Sequence, residues 1–169
     1  SNNTANGQNS MAFGNSNTVS HFYSLAIGQG NTSSGGHSVA IGSSNNDSGN
    51  NATAFGAQNT TSGYFSFAAG RNNTAQSYGS AVFGLYNEIS GTTDSWISTD
   101  PLFIIGNGAD DANRNNAVTV YKNGNTEIDG NLDITGTFTG DGSGLINLPN
   151  DGDWTRSGSN VYNTSELIG

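Results

Sequence analysis

A tetrad ending in glycine recurs six times at an unbroken 14-residue interval, and this period limits what the chain can fold into. The closing glycines are Gly14, Gly28, Gly42, Gly56, Gly70 and Gly84, and the third tetrad reads Val39-Ala40-Ile41-Gly42. Three residues after each glycine stands an asparagine: Asn17, Asn31, Asn45, Asn59, Asn73 and Asn87. Asn3 holds the same register, so the chain opens within an earlier coil. Self-similarity at a fixed period is the mark of a solenoid. Fourteen residues are too few for a helix–turn–helix unit and suffice for two short strands and two turns. With coils stacked about 4.8 Å apart, six of them make a rod segment of roughly 30 Å.

Within a coil the tetrad alternates. The positions three and one before the glycine are mostly bulky and apolar, and the Ala between them points to the opposite face. Ser precedes the tetrad in five coils, with Ala52 the exception. The glycine suits a positive-φ corner or a close backbone approach. The asparagine suits a turn and a side-chain ladder between coils. The rest of each coil is polar, so a coil offers only about two large apolar side chains, few for a monomer. The Ala-rich face is small and flat, and we expect it to pack against another copy. Partner chains are then expected to complete the core, with threefold symmetry favoured for a fibre.

Composition supports a β-repeat over a disordered chain. Only 10% of the residues are charged and only two are proline, yet sixteen are aromatic. The charge is unevenly placed. Up to residue 87 Asp47 and Arg71 are the only charged residues, and the net charge of −9 lies wholly beyond that point. Neither half carries a basic patch, which disfavours nucleic acid and anionic membranes as partners. Cysteine is absent, so disulfides do not staple the thin core. No apolar run approaches the length of a membrane helix, so no membrane insertion is expected in this segment. The chain reads as a segment of something longer.

The strings SLAIGQGNTSSG and SVAIGSSNNDSG resemble the YadA-like head repeats of trimeric autotransporter adhesins, over residues 1–91. The resemblance implies a left-handed parallel β-roll, three chains joined side by side, and adhesion to host or matrix surfaces. Residues 92–101 break the period and read as a connector. In 102–140, Leu102 to Ile105 reads as a short strand and Ala117 to Lys122 as another, and Asn123-Gly124 is a hairpin signal. Ile128, Leu132, Ile134 and Phe138 share one face. The strings NAVTVYKNGNTEIDGNLDITGTFTG and GDGSGLINLP resemble trimeric tail fibres of phages and contractile injection systems. That resemblance implies an intertwined β shaft or prism. Residues 141–169 read as a connector and the start of a further repeat. The expected fold is therefore all-β: a left-handed parallel β-roll followed by a trimeric intertwined shaft, in an elongated fibre.

No catalytic constellation, metal site or cofactor motif stands out. His21 and His37 fall in turns of different coils without a Cys or Glu partner, so solvated turn residues are the reading. Asp110, Asp111, Asn113 and Asn115 partly resemble a calcium loop but lack its Gly and terminal Glu, and Asp151 with Asp153 is a weaker case. Gly140 to Gly144 lacks the Lys of a phosphate loop. The candidate ligand surface is aromatic: Tyr23, Tyr64 and Tyr78 all lie just before the strand, accompanied by Phe22 and Phe65. Beside these rings, Asn and Asp would suit a glycan, against the alternative that the rings cover the roll edge or join the trimer interface.

The expected role is a non-enzymatic homotrimeric fibre segment for attachment to a cell-surface receptor or glycan, outside the cell. A phage-like tail fibre is the first context and the head of a bacterial trimeric autotransporter adhesin the alternative. An ice-binding solenoid is a lesser one, resting on the row Thr4, Thr18, Thr32, Thr60 and Thr74, which Asn46 and Glu88 break.

Overall fold

The computed structural model describes residues 2–137 and 139–140, and the backbone alone of 154–157 and 160–163. It divides into a compact unit over Ser1–Asn131 and a second over Leu132–Gly169. In the second, Trp154–Ser157 pairs antiparallel with Asn160–Asn163. Asp151, Asp153 and Phe138 lie outside the described residues.

In the first unit each coil contributes a five-residue strand, such as Val39–Ser43, and a two-residue strand, such as Asn46–Asp47. Long strands pair only with long strands and short with short, always parallel, at a register of one 14-residue coil. The short strands make a six-stranded sheet, and the long ones belong to a nine-stranded sheet. This is a parallel β-solenoid with 14-residue coils.

The interior is the reverse of the expected one. The Ala of each tetrad points into the roll: Ala26, Ala40, Ala54 and Ala68 are fully buried, as is Val82 in the sixth coil. The bulky neighbours face outward, with Phe13 56% and Phe55 54% exposed. The Ala face is therefore the inner lining and not the outer contact surface. Two sheets joined by tight corners lie close together, and small side chains let the close-packed backbones approach. Ser24, Ser38, Ser66 and Ser80 line the same channel, which explains their recurrence.

Three left-handed corners per coil make the turns tight. One is the tetrad glycine, with φ of 123° at Gly42. A Cβ there would overlap the carbonyl oxygen of Gly56 in the next coil, so the close approach alone demands glycine. The second corner lies two residues later, at Ser16, Ser44, Gln58 and Asn72 among others. The third precedes the next strand, at Asn9, Tyr23, His37, Asn51, Phe65 and Gly79.

The period does not end at Gly84. Pro101–Asn107 pairs parallel with Ala81–Leu85, with Ile104 opposite Val82 and Gly106 opposite Gly84. Phe103-Ile104-Ile105-Gly106 is thus a seventh tetrad, delayed to 106 − 84 = 22 residues. Ile104 is buried against Ala68, Ala75 and Val82. Asn116–Tyr121 and Thr126–Ile128 then add antiparallel strands to the same sheet. Pro101–Asn107 thus continues the long sheet of the roll, within the compact unit Ser1–Asn131.

Candidate binding surface

The asparagine row is the inner spine of the roll. Asn45 is buried, and its Nδ2 donates to Ile41 O and Gly56 O at 2.9 Å each. Its backbone N–H donates to Asn31 Oδ1 at 3.0 Å, and its own Oδ1 accepts from Asn59 N at 3.0 Å. From Asn17 to Asn59 each amide thus ties its own coil to the coils above and below, and its polar atoms are satisfied without water. The Asn row from Asn17 to Asn87 is buried, whereas the tetrad glycines are half-buried or exposed and are held to glycine by the close approach of the next coil.

One ionisable group sits in that interior. Asp47 occupies the short-strand position that Val19, Ser33, Thr61 and Ala75 fill elsewhere, and it is fully buried. Val39 N–H donates to its Oδ2 at 3.1 Å. Its Oδ1 has no partner, nor has the hydroxyl of Thr61 in the next coil. Burial raises its pKa from 3.8 to about 7; the Val39 N–H and the nearby Thr61 hydroxyl, which lacks an aligned hydrogen bond, act in the opposite sense.

The aromatic candidates lie on the corner that precedes each long strand. Tyr23 sits at its left-handed position with φ 55°, while Tyr64 and Tyr78 sit one residue earlier in their coils. They do not form one surface. Tyr23 stacks on His37 of the next coil, centroids 5.1 Å apart and planes 18° apart. Phe22 lies edge-on to both, at 5.8 and 5.2 Å, and His21 packs on Phe22 at 4.3 Å. Gly36 leaves the space Phe22 fills. Two coils on, Phe65 meets Tyr78 edge-on at 5.5 Å. Coil four, between them, offers Asn50 and Asn51 at the same corner.

His21 and His37 are exposed turn residues, but they belong to the first ring cluster, which reading them singly missed. Aligning the coils at their 14-residue period would have revealed it, since the rings share three adjacent columns. Trp96 and Lys122 were missed for another reason: their partners come from distant sequence. Lys122 Nζ lies 5.0 Å from the Trp96 ring centre and 5.9 Å from that of Tyr78. Desolvation lowers its pKa, opposed by the charge of Asp100.

The acidic loop is committed to protein contacts. Asp110 Oδ1 accepts from Ala112 N, Asn113 N and Asn113 Nδ2, all at 2.9 Å, and Asp111 pairs with Arg114 at 2.6 Å. Asn115 donates to Asn107 and Asp129. Among the described residues no group of three His, Cys, Asp or Glu is placed to hold a metal. No helix among them is long and apolar enough to cross a membrane. The threonine row is in register on the short sheet, Thr4 opposite Thr18 and Thr18 opposite Thr32, until Asn46 interrupts it.

Comparison with known families agrees with this geometry. The family model of the YadA head domain repeat, two copies long, matches residues 1–21, 22–45 and 48–73. Searches of curated proteins and of solved structures gave no match. Over the matched spans, the chain is similar to YadA head domain repeats.

Proposed function

We propose that this chain is a structural, non-enzymatic segment of a trimeric adhesin head, displayed at a bacterial surface and serving attachment. The observation that carries the reading is the outward apolar stripe of the long sheet. Met11, Phe13, Ile27, Phe55 and Phe83 are each at least 37% exposed, while the roll interior is lined mostly by Ala, Ser and the asparagine amides. An exposed apolar surface of this length marks an interaction face. A second and third copy side by side would bury it, in keeping with the trimeric assembly implied by the repeat family. The tail-fibre context expected from residues 100–149 finds no match in the comparisons, and the strand at Pro101–Asn107 belongs to the roll's own sheet.

Sedimentation equilibrium on the folded chain tests the proposal. A mass three times that of one chain is expected, with Phe55→Asp shifting the population toward monomer. A wild-type monomer at micromolar concentration would overturn it.

A further inference from the structure

We infer that the corner edge between Tyr23 and Tyr78 is a binding site for a neutral, linear oligosaccharide lying along the roll axis. The inference rests on the attachment role proposed above and names the ligand class for it.

The first argument is strain. The left-handed corner before each long strand has φ of 55–58° wherever a non-glycine residue occupies it. Asn9, Asn51 and Gly79 are residue types that tolerate this backbone. Tyr23 and Phe65 are not, because a bulky side chain there crowds its own backbone. His37 occupies the same corner and completes the stack with Tyr23. Strained backbone retained at exposed positions is a mark of a functional surface. Tyr23 and Phe65 are 55% and 54% exposed, so burial in this chain does not offset that strain.

The second argument is arrangement. Parallel register puts equivalent corners one coil apart, so Tyr23 and Phe65 are separated by three steps, about 14 Å. Ring clusters stand at both ends of this line, and the amide-bearing corner of Asn50 and Asn51 lies between them. Asn50 Oδ1 accepts from Gly36 N at 2.8 Å, which fixes that amide beside the first cluster. Pyranose rings present flat C–H faces to aromatic rings and hydroxyls to amides, so a chain of sugars matches the sequence ring, amide, ring.

The third argument is charge. Asp47 is buried, and Arg71 is the other charged residue up to position 87. Arg71 lies at the other end of its strand and Lys122 packs on Trp96 and Tyr78 at the last coil, so the stretch from Tyr23 to Phe65 provides no lysine or arginine for an acidic polysaccharide or for phosphate. The apolar stripe proposed to bury the partner copies is a different set of residues on the long sheet.

The test uses the full chain in titration calorimetry with hexamers of β-linked glucose and of β-linked N-acetylglucosamine, and with hexagalacturonate as the acidic probe. A neutral hexamer is expected to bind, more tightly than its dimer and than the acidic hexamer. Tyr23→Asn with Phe65→Asn should weaken binding at least tenfold, because Asn already serves this corner in coils one and four. The melting temperature of that variant should hold or rise. Failure of both neutral hexamers to bind, preference for the acidic one, or unchanged binding in the variant would each overturn the site. So would a lower melting temperature, which would make the rings packing elements. Sedimentation of the same samples separates the two proposals: a trimer without sugar binding sinks this one alone, and a monomer sinks the adhesin-head reading.

Discussion

Asn73 and Asn87 do not make the contact that joins every earlier pair of ladder asparagines. Asn59 N donates to Asn45 Oδ1 and Asn73 N to Asn59 Oδ1, both at 3.0 Å, but Asn73 Oδ1 is buried without a partner. Asn87 has turned to the short-strand edge, where its Oδ1 accepts from Thr74 N at 2.7 Å and its Nδ2 donates to Thr74 O at 3.1 Å. The ladder thus ends by closing the open edge of the short sheet. Tyr78 N and Tyr64 N extend this closure by donating to Thr92 O and Thr93 O.

An interior rung should therefore matter more than a terminal one. Asn45→Ala strands the carbonyls of Ile41 and Gly56 and the N–H of Asn59 in a dry interior. A loss of at least about 3 kcal/mol is expected in denaturant unfolding. Asn3→Ala, at an exposed rung, should cost less than about 1 kcal/mol.

The glycines should separate into two classes. Gly42→Ala combines φ of 123° with overlap onto Gly56 O, and about 3 kcal/mol or more should be lost as the coils are forced apart. Gly124→Ala has φ of 90° but no atom within 4 Å of the new Cβ, so only the backbone term of about 1 kcal/mol applies. Thermal melts of the two variants side by side check this ordering.

Asp47 should make the roll acid-stable. Its folded pKa of about 7 exceeds the unfolded value of 3.8, so the folded state holds the proton more tightly. Stability is then full below about pH 4 and falls as pH rises toward 7, by an amount on the order of 4 kcal/mol. Asp47→Ser, which places the residue of the second coil in the third, should remove that decline and raise stability at pH 8. Urea midpoints across pH 4 to 8 measure it; a wild-type midpoint that rises over this range would contradict the assignment.

Arg114 should behave as a clamp that Lys cannot replace. Its Nη1 donates to Asn72 O at 3.0 Å and Asn87 O at 3.1 Å, and the guanidinium lies 5.6 Å from the centre of the Tyr86 ring. Arg114→Lys should lose about 1–2 kcal/mol. Asp111→Ala should lose little, because its carboxylate is 81% exposed. Hydrogen exchange at Asn87 and Thr74 would localise the loosening to this end of the roll.

The period, the parallel stacking and the residue rows could be read directly from the chain, because six uninterrupted copies leave one register in which the glycines and asparagines align. The seventh tetrad was hidden by eight extra residues, 22 − 14, between Gly84 and Gly106, although Phe103-Ile104-Ile105-Gly106 matches the earlier ones in kind. Repeat detection depends on constant spacing, whereas a sheet accepts any strand that presents the right edge. The cage around Lys122 was hidden for a related reason: Tyr78 and Trp96 are distant in sequence and meet only when the chain folds back over the last coil.

The sequence by itself determined that Ala and its bulky neighbours lie on opposite faces of each long strand, since strand side chains alternate. Which face is the inside was decided only by the tertiary structure. Alternation is symmetric between the two faces, and the usual preference for large apolar cores points the wrong way here. The distance between two sheets joined by left-handed corners breaks that symmetry: it accommodates Ala, Ser and the asparagine spine, and it turns Phe13, Phe55 and Phe83 outward toward whatever covers them.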